Sequence, residues 1–172
     1  MAAPALLRDE IHQRYGLYTK LHEARTLDPE TFTIQFSNTV LWSILGGRRV
    51  YGWRVVGITK AALQSYKDHD FSVRAQKASG MNRGHLHRRI DTTAKVLNCP
   101  KPMLVEELAE TLWQLDRTVV CVRGENHLLG TLGVTEISFE NDECKWFRGK
   151  QVGWQFGENE KALLRILAGQ YL

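Results

Sequence analysis

Three cysteines in 172 residues, Cys99, Cys121 and Cys144, are too few and too scattered to organise this chain. None forms a Cys-x-x-Cys pair and their number is odd, which argues against a zinc knuckle and a disulfide framework and leaves reduced thiols. Long hydrophobic runs are also missing: nothing approaches the roughly 20 apolar residues that cross a bilayer. The first ten residues lack the basic stretch and following apolar stretch of a secretory signal. These absences predict an intracellular, cytoplasmic protein with no membrane partner. No internal repeat, low-complexity tract, linker, glycine-rich phosphate loop, Ser-His-Asp arrangement or Cys-His pair is evident either.

What the chain does have is 43% hydrophobic residues, enough for a core over 1–172 as one domain without a metal or disulfide staple. Leu6, Leu7, Ile11, Tyr15, Tyr18 and Leu21 recur near helical spacing, so 5–25 predicts one kinked helix or two short ones, with Gly16 as the interruption. Asp28-Pro29-Glu30 is a turn or a helix start. The next stretch, 31–45, is ambiguous, because Phe32, Ile34 and Phe36 alternate like a strand while Val40, Leu41, Ile44 and Leu45 are spaced like a helix.

Residues 51–58 predict a strand, and Thr59 is placed to cap a helix over 60–67. A polar, basic loop over 68–81 follows, then helix from Asp91 or Thr92 to Leu97 and an amphipathic helix over 103–115 through Leu104, Leu108, Leu112 and Leu115. The β-branched run Thr118-Val119-Val120-Cys121-Val122 predicts a buried strand, 134–139 and 151–156 predict two more, and 158–167 a closing helix. The fold class is therefore α+β, a small mixed or antiparallel sheet with helices.

Charge is unevenly placed. Between Arg48 and Lys95, eleven Lys/Arg against three Asp leave +8, so with a total of +4 the remainder carries −4. A basic middle in a mildly acidic chain is the footprint of a nucleic-acid binder, set against the plainer account of a solvated surface. Within it, Arg83-Gly84-His85-Leu86-His87-Arg88-Arg89 gathers two imidazoles and three guanidinium groups. Phosphodiester hydrolysis needs a base that titrates near neutrality and cations that grip phosphate oxygens, and histidine and arginine supply these. Arg74, Lys77, His87, Arg88 and Arg89 are the candidate phosphate contacts, and Arg83 either stabilises the transition state or pairs with Asp91.

Asn82-Arg83-Gly84-His85-Leu86 resembles the Asp-Arg-Gly-His motif of the DNA/RNA non-specific endonucleases, members of the His-Me finger (ββα-metal, HNH-like) nuclease superfamily. The resemblance implies that the motif histidine ends a strand and activates water, that a second strand follows, and that a helix after it supplies a metal ligand. Here 118–122 leads into Glu125-Asn126-His127. On this resemblance 80–130 is the finger region, His85 the general base, and Asn126 a ligand of Mg²⁺ or another divalent cation. Asn82, Glu125 and His127 are the further candidates. Asn82 stands where the family has aspartate, which removes a carboxylate, and the helix over 103–115 must be inserted between the two strands. The function implied is a metal-dependent endonuclease on DNA ahead of RNA, restriction-type if a homodimer presents two sites.

Two other readings use the same residues. In the first, His85-Leu86-His87 is a metal pair on one strand face with Tyr66 or Tyr18 as nucleophile, as in nicking enzymes. In the second, a non-catalytic DNA- or RNA-binding module uses the basic 48–95 segment only to neutralise phosphates. Asp68-His69-Asp70 reads as a solvated turn, Glu106, Glu107 and Glu110 as the wet face of a helix, and Trp53, Trp113, Trp146 and Trp154 as core.

Overall fold

The computed structural model describes residues 3–46, 54–129, 135–139 and 157–172. They form eight α-helices and a four-stranded mixed sheet, so the chain is α+β. No helix among the described residues is long and apolar enough to cross a membrane. The chain divides into two compact units, Met1–Gly52 with His87–Asp116, and Trp53–Leu86 with Arg117–Leu172. The polypeptide passes between them three times.

The first unit is helical: α1 (Ala5–His12), α2 (Tyr15–Leu27), α3 (Ile34–Gly46), α6 (Arg89–Leu97) and α7 (Val105–Leu115). The break between α1 and α2 falls at Gln13 and Arg14, where the Arg14 guanidinium donates to the Glu10 carbonyl at 2.9 Å. Gly16, the expected interruption, lies inside α2. Over 31–45 the helical spacing prevails: Leu41, Trp42 and Leu45 are buried, and Phe32 packs edge-on against Phe36 one turn later. α7 turns Leu108, Ala109, Leu112 and Trp113 inward, and each buried leucine contributes about 1.5–3 kcal/mol. Tyr18 is fully buried, donating to the Val96 carbonyl at 2.9 Å and accepting from the Met103 amide at 3.0 Å.

The second unit holds β1 (Arg54–Thr59), α4 (Lys60–Asp68), α5 (Arg74–Ala78), β2 (Asn82–His85), β3 (Arg117–Cys121), β4 (Glu136–Ser138) and α8 (Glu158–Tyr171). Thr59 ends β1 and caps α4, its hydroxyl accepting from the Ala62 amide at 3.2 Å. The expected loop over 68–81 contains the short helix α5, held by the burial of Ala75 and Gln76. The expected strand at 151–156 lies outside the described residues, as do Trp53, Trp146 and Trp154, whereas Trp113 is in the core.

Strand order is β2-β3-β1-β4, with β1 parallel to β3 and the other neighbours antiparallel. Residues directly opposite one another share a face. Ile58, Val120 and Ile137 therefore line one face, packed with Leu63 and Tyr66 of α4 and Leu164 and Leu167 of α8. The other face carries the row Gly84, Val119, Gly57 and Ser138 across all four strands. That row is nearly bare of side chains, so another segment can lie flat upon it.

Candidate nucleic-acid site

Among the described residues β2 is an edge strand paired only with β3, in the register Asn82↔Cys121, Arg83↔Val120, Gly84↔Val119 and His85↔Thr118. His85 is its last residue, as the resemblance implied. Side chains alternate along a strand, so Arg83 and His85, both half-buried, take the face of Val120 and Thr118. Asn82, exposed, takes the opposite face with Gly84.

After β3 the chain turns back over that second face. Gly124 adopts φ +98°, and the Glu125 and Leu128 amides donate to the Val122 and Glu125 carbonyls. Residues 123–129 are turns, where the resemblance implied a helix. A Cβ placed on Gly84 would meet the Leu129 side chain and lie 2.8 Å from Asn126 Oδ1. Only glycine admits this close approach. The turn is anchored by Glu125, whose carboxylate accepts from the Thr59 hydroxyl at 2.6 Å and the Val122 amide at 3.0 Å.

The fold therefore brings Asn82 and Asn126 to one face of β2 and directs His85 and Arg83 to the other. Asn126 and His127 are both exposed. Glu125, a candidate for the metal shell, instead uses one carboxylate oxygen to hold the turn. Among the described residues no group of three or more His, Cys, Asp or Glu is placed to hold a metal ion.

The cationic segment read as one cluster is divided between the units. Arg83 and His85 belong to the second, His87, Arg88 and Arg89 to the first. Arg89 is engaged within the first unit: its guanidinium stacks 4.2 Å above the Trp42 ring and lies 3.4 Å from the buried Asp116 carboxylate. Burial lowers its pKa and Asp116 opposes that shift. Sequence could not anticipate this because Trp42, Arg89 and Asp116 are far apart along the chain. Arg88 meets Asp91 at 3.7 Å, with both side chains largely exposed. His87 is exposed, as are Arg74 and Lys77 on α5.

The nicking-enzyme arrangement is not formed. β2 ends at His85, so His85 and His87 do not share a strand, and both proposed nucleophiles are fully buried. Burial pushes the Tyr18 phenol up to about 12 and Tyr66 in the same direction, which disfavours the phenolate a nucleophile requires. At Asp68-His69-Asp70, the His69 ring bonds the Ser65 carbonyl at 2.8 Å and Asp70 turns the chain at φ 51°, in keeping with a turn.

One basic residue escaped the sequence reading. Arg123 is exposed, its amide donates to the Ser79 carbonyl at 3.3 Å, and its Cβ lies 3.2 Å from where a Cβ on Gly80 would stand. Its position is fixed by the β2–β3 register, which composition does not reveal. In the first unit, an open pocket of about 310 Å³ lined by Arg25, Thr26, Pro29, Leu97, Asn98 and Cys99 contains none of the candidates.

Comparison with protein-family models, with curated proteins and with solved structures found no match to this chain.

Proposed function

We propose that this chain is a metal-dependent endonuclease that hydrolyses phosphodiester bonds in DNA. The observation that carries the reading is the docking of Asn126 Oδ1 on Gly84, which joins the two separate parts of the motif, Asn82-Arg83-Gly84-His85 and Glu125-Asn126. His85, at the end of β2, accepts a proton from the attacking water through a ring nitrogen. Arg83, on the same face, offsets the charge that builds on phosphorus oxygens. Asn82 and Asn126 would hold Mg²⁺ or another divalent cation, with His127 beside them. When bound, such an ion supplies charge neutralisation at the phosphate and at the leaving 3′-oxygen. β2 is at the edge of the four-stranded sheet among the described residues, and its open side is where a sugar-phosphate backbone would approach.

DNA is preferred to RNA as substrate, and a homodimer with two such sites would cut both strands. The same reading sets the protein in the cytoplasm, where its thiols stay reduced. A second reading, a DNA- or RNA-binding module without catalysis, is favoured by the separation of His85 and Asn126 onto opposite faces of β2.

Supercoiled plasmid incubated with purified protein and Mg²⁺ or Mn²⁺ separates the two. Metal-dependent nicking or linearisation that EDTA and His85→Ala both abolish, with DNA retardation retained in the variant, supports the endonuclease. Retardation without cleavage under any divalent ion leaves the binding module.

A further inference from the structure

Of the candidate phosphate contacts, Arg74 and Lys77 lie outside the nuclease motif, and Arg123, which the sequence did not single out, stands beside them. Arg74 and Lys77 stand three residues apart on α5, on the side away from buried Ala75 and Gln76. α5 ends at Ser79, and the next residue, Gly80, turns the chain at φ +56° while its amide donates to the Lys77 carbonyl at 3.4 Å. Across that turn lies Arg123, its stem carbons packed along Gly80 and its amide on the Ser79 carbonyl. The three cations thus surround one turn, and one of them has its stem braced against backbone.

No acidic side chain forms an ion pair with any of the three among the described residues. Neighbouring like charges repel, so a polyanion laid across this exposed set would relieve their repulsion.

Arg123 also gives the surface a direction. Arg123 opens the 123–129 turn whose Asn126 lies against Gly84 of β2. We infer that Arg74, Lys77 and Arg123 form one phosphate-binding surface for the backbone of duplex DNA, joined through Arg123 to the turn that carries Asn126. It rests on the reading of the chain as a nucleic-acid protein, but not on catalysis. Phosphate contacts of this kind position the duplex and carry no sequence preference.

Salt dependence tests this directly, because each phosphate neutralised adds about 0.9 to the slope of log affinity against log salt for B-DNA. The full chain and its R74Q/K77Q/R123Q variant are titrated onto a 20-base-pair duplex between 50 and 200 mM salt. A variant with R8Q/K20Q/K101Q, which removes three exposed cations of the first unit, controls for net charge. Thermal melting checks that both variants are folded. Loss of three contacts reduces the slope by about 2.7, equal to an affinity change about 40-fold smaller across that fourfold salt range. A slope that falls in the first variant and holds in the control supports the surface. Equal slopes for the two variants, or a wild type with no salt-dependent affinity, overturn it. Plasmid cleavage is scored separately: no cleavage with the slope effect intact removes the endonuclease and leaves the surface standing.

Discussion

The Thr59 hydroxyl donates to the Glu125 carboxylate at 2.6 Å while accepting from the Ala62 amide at 3.2 Å, so one side chain both caps α4 and ties down the turn after β3. Hydrogen bonds to a charged acceptor contribute about 1.5–3 kcal/mol, and a threonine cap about 1 kcal/mol. Thr59→Ala is expected to destabilise by about 2–3 kcal/mol, and Glu125→Ala by slightly less. Urea denaturation of the single and double variants should show a coupling of about 1 kcal/mol. Additive losses would mean that the cap and the turn are independent.

At Gly84 the effect should run through space alone. Gly84→Ala forces Leu129 and Asn126 off β2 and is expected to cost about 1–3 kcal/mol, the usual range for overpacking. Leu129→Ala added to it relieves the larger clash. If the double variant recovers stability over Gly84→Ala alone, the docking of the turn is as described, and failure to recover would contradict it.

Arg89 and Asp116 should act on stability and not on DNA. Asp116→Asn leaves a buried guanidinium without its counter-charge, a change that costs about 3 kcal/mol when one partner of a buried pair is removed. Arg89→Met, which keeps the stack on Trp42, should reduce that loss in the double variant. Neither change is expected to alter the salt slope of DNA binding, and a slope lowered by Arg89→Met would return Arg89 to the phosphate contacts.

High pH should weaken the fold. Burial first, then the charge of Glu125, push the Cys121 thiol up to about 11, and burial raises Tyr18 to about 12. These acids hold their protons longer in the folded state than in the unfolded chain. The unfolded state therefore binds fewer protons above its own pKa values, and stability falls as pH rises from about 9 toward 11. Urea midpoints at pH 8, 9.5 and 10.5 should decrease in that order. In the native protein at pH 8, a thiol reagent should modify half-exposed Cys99 well before buried Cys121.

Much of this fold could be read from local pattern. Thr59 before a helical run, the leucines of α7 and the β-branched run of β3 each carry a signal contained within one element. Phe32, Ile34 and Phe36 left 31–45 ambiguous because their alternation spans only five residues, and the helix that forms, α3, begins at Ile34, with Phe32 packed on Phe36 from outside it. α5 was missed because five residues burying only Ala75 and Gln76 leave too short a period to detect. The candidate site was legible as residue types and illegible as geometry. Which face His85 takes depends on strand register, and the partners of Arg89 and Gly84 come from distant segments.

The triple passage of the chain between its two units has a bearing on synthesis. During translation all the segments of the helical unit have emerged once Asp116 has, whereas the sheet unit still lacks β3, the partner of β2 among the described residues. Domains generally fold as units, N-terminal parts first. The helical unit can thus close while 53–86 remains an unpaired excursion from it, with β2 exposing an edge until β3 arrives. A nascent chain whose emerged part ends between 117 and 135 would therefore present an unpaired strand edge, and pausing at that stage of emergence should lower the soluble yield.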